Sequence, residues 1–87
     1  MKLSVAYTPA FFLQFKALGP QLQGEAIERI ELLKDSENHR SLKVHKLKGY
    51  FSGRYSFSVN YKIRIVFEYT SKADVVLLAI GDHAVYR

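Results

Sequence analysis

The stretch Tyr55-Ser56-Phe57-Ser58-Val59-Asn60-Tyr61-Lys62-Ile63-Arg64-Ile65-Val66-Phe67 decides the fold. Tyr55, Phe57 and Val59 alternate with Ser56 and Ser58. Ile63, Ile65 and Phe67 alternate with Lys62, Arg64 and Val66. A period of two marks half-buried strands. Asn60-Tyr61 reads as the tight connection between them. The stretch is therefore an antiparallel hairpin with one apolar face and one polar face.

Before the hairpin, Val44–Leu47 reads as a short strand ending at Gly49. After it, Ser71–Asp74 reads as a turn, and Val75–Ile80 is apolar on both faces, as suits a central strand covered on both sides. Lys2–Tyr7 alternates as a further strand. The segment between is helical. Thr8-Pro9 supplies an N-cap and a first helical residue. Phe11, Phe15 and Leu18 then make one stripe, and Gly19 stops the helix. Pro20 opens a second helix with the stripe Leu22, Ala26, Ile30 and Leu33. Glu25, Glu28, Arg29 and Asp35 face water, with Glu25 and Arg29 spaced to pair. The fold class is α+β: an N-terminal strand, a helical hairpin, then a four-strand, mostly antiparallel sheet. Ser56, Ser58 and Arg64 lie on the sheet face away from the helices. No linker or repeat interrupts residues 1–87, which read as a single domain.

Charge is unevenly spread. Thirteen Lys+Arg against eight Asp+Glu give +5. Residues 38–67 hold seven of the basic side chains (Arg40, Lys43, Lys46, Lys48, Arg54, Lys62, Arg64), with His39 and His45, and no acid. Such a segment attracts polyanions or an acidic protein; a solvated basic face is the plainer reading. The absence of cysteine excludes disulfide scaffolds, thiolate metal sites and thiol nucleophiles. His39 and His45 lack a paired ligand spacing, so neither metal nor cofactor is expected. The longest apolar run, Val75–Ile80, is far below the roughly 20 residues of a membrane span, and no secretory signal is visible. A cytoplasmic protein without membrane contact is expected.

Several side chains could carry chemistry. Arg64 stands alone in an apolar strand, where a guanidinium could clamp a phosphate bidentately; pairing with Glu68 or reaching to solvent are the alternatives. His83, in the tail Gly81-Asp82-His83-Ala84-Val85-Tyr86-Arg87, could exchange protons near neutral pH, or cap a turn beside Asp82. Tyr86 could stack on a base or simply pack. Lys46, Lys48 and Arg54 flank a glycine-bounded loop holding Tyr50 and Phe51, a pattern used to bind single-stranded nucleic acid and also found in ordinary hairpins.

Four segments taken in order, Ser41–Gly49, Tyr55–Val59, Tyr61–Phe67 and Gly81–Arg87, resemble the RelE/ParE superfamily of type II toxin–antitoxin toxins, as does the helical hairpin before them. The resemblance spans essentially the whole chain. It implies a microbial RNase-like fold and, for the RelE type, a metal-independent mRNA endonuclease working in the ribosomal A site by 2′-OH attack on the adjacent phosphate. Carried over by position, Arg64 would stabilise charge on the scissile phosphate. His83 would be the general acid or base, and Tyr86 would stack on or orient the substrate. Lys46, Lys48 and Arg54 would bind RNA. The implied partners are a cognate acidic antitoxin, mRNA on the ribosome, and operator DNA reached only through the antitoxin. The chain departs from the RelE pattern at Ser56 and Ser58, where basic residues are expected, and in the short spacing from His83 to Tyr86. ParE-type relatives, which inhibit DNA gyrase without cutting RNA, and a degenerate antitoxin-binding co-repressor remain alternative readings.

Overall fold

Among the described residues five strands and two α-helices follow the order that the periodicities dictate: β1 (Ser4–Tyr7), α1 (Pro9–Lys16), α2 (Pro20–Leu33), β2 (His45–Lys46), β3 (Tyr55–Ser58), β4 (Arg64–Tyr69) and β5 (Asp74–Gly81). The computed structural model describes residues 2–49, 52–82 and 85. The strands form one sheet in the order β1-β5-β4-β3-β2. The N-terminal strand joins the sheet as a fifth member, parallel to β5, while the other three pairings are antiparallel. The expected four-strand sheet is thus widened at one edge. Among the described residues no helix is long and apolar enough to cross a membrane.

The helical punctuation works as read. The Thr8 side chain accepts from the Phe11 N–H at 3.1 Å, and its hydroxyl lies 3.2 Å from the Leu77 carbonyl of β5. One residue therefore caps α1 and ties it to the sheet. Phe11, Ala26 and Leu33 from the two helices are buried against Phe57, Ile65, Phe67, Val75, Leu77 and Ile80 from the strands. Full burial of side chains this large is worth about 1.5–3 kcal/mol each before entropy is counted. The Gln23 amide donates to the Leu18 carbonyl at 2.8 Å and so braces the turn between the helices.

Three local expectations are corrected. The connection between β3 and β4 is Val59–Ile63 rather than the pair Asn60-Tyr61. Strand β2 covers only His45–Lys46. Among the described residues Glu25 and Arg29 form no ion pair; those present are Lys2–Asp35 at 3.0 Å and Lys34–Glu31 at 2.7 Å. An exposed helical pair is worth only about 0.3–0.5 kcal/mol, too little to fix two long side chains. The Glu37 N–H and the Lys2 ammonium hold the Asp35 carboxyl below its ordinary range. Because that value is depressed in the folded state, the tie to Lys2 contributes above the ordinary carboxylate range and is lost as pH falls through the lowered value.

A β-bulge interrupts the β4–β5 ladder. Val66 pairs with Ala79 but Phe67 pairs with Leu77, leaving Leu78 as the extra residue. Just beyond it, the Ile80 N–H donates to Oε1 of Gln14 on α1 at 2.9 Å. A helix side chain thus completes the hydrogen bonding of a buried strand residue. Gln14→Leu should lower stability by about 1–3 kcal/mol, the cost of a buried donor left unpaired, while Gln14→Glu keeps an acceptor and should lose less. Urea denaturation of the three proteins measures this, and equal midpoints would show that the contact contributes nothing.

Candidate nucleic-acid interface

Arg64 opens β4, and the sheet register sets it in a row with Ser58 of β3 and Gly81 of β5. Ile63 and Ile65 on either side are buried in the core, so alternation sends the Arg64 side chain to the face away from the helices. Its Nη1 donates to the Asn60 carbonyl at 2.5 Å and to the Ile63 carbonyl at 3.3 Å. No salt bridge to Arg64 forms among the described residues. Glu68, four residues further along the same strand, is about 13 Å away. The guanidinium is therefore oriented by neutral carbonyls and keeps its charge.

The turn that holds it is itself rigid. Asn60 Oδ1 accepts from the Lys62 and Ile63 N–H groups at 2.9 and 2.8 Å, and the Val59 N–H donates to the Ile63 carbonyl at 2.9 Å. On the other side of the row, the Val85 N–H donates to the Asp82 carbonyl at 3.0 Å. A Cβ on Gly81 would lie 2.9 Å from Val85 Cγ1, so the chain doubles back where only a glycine fits without adjustment. Val85 thus lies against Gly81, the strand neighbour of Arg64. His83 and Tyr86 lie outside the described residues.

The other expected RNA contacts do not gather around Arg64. Lys46 pairs with Tyr55 and so shares the face of Tyr55 and Phe57, on the helix side. Lys48 is exposed past the end of β2. Arg54 precedes β3, about 13 Å along the strand from Ser58, and its carbonyl accepts from the Leu47 N–H at 2.8 Å. Alternation relates residues within one strand; only cross-strand register reveals which face of the sheet they occupy.

The backbone of the Arg40–Val44 turn also reaches this end of the sheet. The Ser58 N–H donates to the Leu42 carbonyl at 3.1 Å, which lays the Arg40–Val44 turn against the Arg64 end of the sheet. Lys43 there has φ 60, a left-handed conformation that a side chain makes costly. His45 pairs with Ser56 and so shares Arg64's face. Its Nδ1 lies 2.8 Å from the Lys43 carbonyl and donates to it, since a carbonyl only accepts. Sequence reading counted His45 with Arg40 and Lys43 in the acid-free basic segment and also weighed it as a metal ligand. His39 has a structural task, its Nε2 meeting the Leu33 carbonyl at the end of α2 at 2.8 Å.

Comparison with solved structures matches the fold along nearly the whole chain. YafQ from E. coli strain BL21(DE3) superposes with a TM-score of 0.79 at 13% identity, covering 98% of each chain. The RelBE2 toxin–antitoxin complex from Mycobacterium tuberculosis gives 0.78 at 16%, covering 97% of this chain and 94% of the other. The YoeB–YefM complex from Staphylococcus aureus gives 0.74 at 18%, covering 95% and 99%. The fold is that of the RelE-type toxins. No sequence-family model and no curated protein sequence matches the chain.

Within this RelE-type fold the two serines differ. Ser56 is 0% exposed, and Val66 beside it on the same face is 2% exposed. The middle of the face expected to be open is therefore enclosed, and Ser56 does not present itself to solvent. Ser58, in the Arg64 row, is only half-buried. Ser56→Lys should cost about 3–5 kcal/mol, the range for an uncompensated buried charge. Ser58→Lys should stay within about 1 kcal/mol of the parent, because the ammonium can reach water. Thermal and urea unfolding of both variants check the contrast, and equal stabilities would contradict this difference in environment.

Proposed function

We propose that the chain is the toxin of a type II toxin–antitoxin system and that it cuts mRNA on the ribosome without a metal. The observation that carries the reading is Arg64: a charged guanidinium held by the Asn60 and Ile63 carbonyls, opposite Gly81 of β5, in a RelE-type fold. In the reaction the ribose 2′-oxygen bonds to the adjacent phosphorus while the bond to the 5′-oxygen breaks. The 2′-hydroxyl proton passes to a base and another proton reaches the departing oxygen, leaving a cyclic phosphate and a free hydroxyl. Arg64 meets the charge that develops on the phosphoryl oxygens. His83 is assigned the proton transfer and Tyr86 the contact to a base, both by the sequence resemblance. Lys48 and Arg54 are assigned to RNA backbone away from the scissile bond. Lys46, on the helix side, is left out of the assignment.

The partner is an acidic antitoxin, complementary to a chain of net charge +5. Tyr7, Phe12, Leu13 and Ile27 are exposed apolar side chains on β1, α1 and α2. Tyr7, Phe12 and Ile27 also line a groove of about 290 Å³, whose apolar walls suit anchoring side chains of that antitoxin. Operator DNA is reached only through it. A second reading, a toxin acting on DNA gyrase, draws on Ser58, which leaves Arg64 without a basic cross-strand neighbour in its row.

Expression without the antitoxin should arrest growth and give discrete cuts within translated codons by primer extension. Growth arrest with intact mRNA and loss of supercoiling would favour gyrase. Arg64→Ala should remain folded by circular dichroism and lose about 10²–10³ in cleavage rate; full activity would remove Arg64 from the reaction. The rate should show a pH limb between about 5.5 and 8, the range open to an imidazole with an acidic and a basic neighbour. His83→Gln should flatten the limb and lower the rate about 10²–10⁴-fold. Single-turnover cleavage on programmed ribosomes measures both, and a wild-type profile in His83→Gln would end the proton-transfer role.

A further inference from the structure

Tyr61 is 91% exposed. It sits in the Val59–Ile63 connection, between two residues anchored in the core, Val59 and Ile63. Hydrogen bonds brace the frame around it: Asn60 Oδ1 takes the Lys62 and Ile63 N–H groups, and the Asn60 carbonyl takes Arg64 Nη1. The ring is thus carried into solvent by a fixed turn whose neighbouring carbonyl also holds the candidate phosphate-binding arginine. A ligand that covers the ring has no loop to order, which lowers the entropic cost of binding.

The surroundings narrow the choice of ligand. Lys62 follows directly and is exposed. The turn bearing Lys43 lies against Ser58, next to Arg64 in the sheet. Asp82, after Gly81, is a carboxylate at the same end. A protein-docking surface would show contiguous apolar area. The other large exposed apolar side chains among the described residues are elsewhere: Tyr7, Phe12, Leu13 and Ile27 on β1 and the helices, Tyr69 at the far end of β4. A lone aromatic ring among cations is instead the arrangement on which an unpaired base stacks while its flanking phosphates are neutralised.

We propose that Tyr61 is a stacking platform for an unpaired base of single-stranded RNA, with Lys62 and Arg64 taking the adjoining phosphates. The inference rests on the reading of an RNA-directed protein but not on cleavage. Fluorescence anisotropy with a labelled nine-nucleotide single-stranded RNA tests it on the full chain, using wild type, Tyr61→Phe, Tyr61→Ala and Lys62→Ala across a salt series. Tyr61→Ala should bind about 5- to 100-fold more weakly, and Tyr61→Phe within about twofold of wild type. Lys62→Ala should reduce the salt slope by about 0.7. Circular dichroism and thermal unfolding should be unchanged in all of them, since an exposed ring supports no packing. Wild-type affinity in Tyr61→Ala, or no binding by the wild type, overturns the proposal. So does a loss of affinity in Tyr61→Ala for a co-expressed acidic antitoxin with RNA binding intact, which would make the turn a protein contact. Ribosome cleavage assays on the same proteins keep the two ideas apart: Tyr61-dependent RNA binding without any cleavage sinks the nuclease reading and leaves the platform standing.

Discussion

The register of β4 between β3 and β5 is the constraint on which the candidate interface depends. A slip of one residue would move Arg64 to the helix face and Ile65 into the polar one. Ile65 and Phe67 prevent it, because both are wholly buried on the helix side and both would have to leave the core. The bulge at Leu78 then lets β5 gain a residue without losing that alignment, so Gly81 still arrives opposite Arg64. Position, not reactivity, is what the core supplies to this end of the sheet.

The same core couples the helices to the site. Thr8 and Gln14, both polar residues of the first helical segment, bond to backbone atoms of β5 on either side of the bulge. A bulge leaves backbone groups out of the ladder, and a long amide from a packed helix is one way to pair them. The helix face therefore does two things: it buries apolar area, and it fixes the strand from which the tail departs. The apolar groove between β1 and the helices lies on the other side of the sheet from the guanidinium. A protein partner seated there would leave the cationic end open unless it also reached across the sheet.

Much of this was legible in the sequence. Thr8-Pro9 and Gly19-Pro20 mark the helix starts through local chemistry, which needs no tertiary information. The alternation from Tyr55 to Phe67 places Arg64 opposite the core for the same reason. What was not legible depends on pairing between distant segments. The parallel edge strand β1 and the helix-side position of Lys46 both follow from cross-strand register, which periodicity within one strand does not encode. Ser56 illustrates a different gap. Alternation assigned its face correctly, but the exposure of that face depends on what lies over it. Tyr61 was read as part of a two-residue turn, and the wider connection, set by the side chain of Asn60, is what turns its ring outward.

The manner in which Arg64 is held bears directly on what it can do. A carboxylate partner would orient a guanidinium more strongly, with charge-assisted bonds about twice as strong as neutral ones, but would also cancel its field at the ligand. Backbone carbonyls orient it and leave the net charge in place, and they engage Nη1 alone among the described residues, so Nη2 and Nε keep donors for an incoming oxyanion. A planar, permanently charged group with two donors available in fixed directions is suited to a phosphate rather than to a single halide-like anion. Ser58 in the neighbouring row position adds no charge of its own. Among the described residues Arg64 is the cation of this row, and any phosphate contact that also used the exposed lysines would have to restrain their rotamer freedom. If Arg64 meets a phosphate as proposed, the contact depends on the turn that aims it, and Asn60, whose carbonyl holds the guanidinium and whose side chain closes the turn, would matter as much as the arginine.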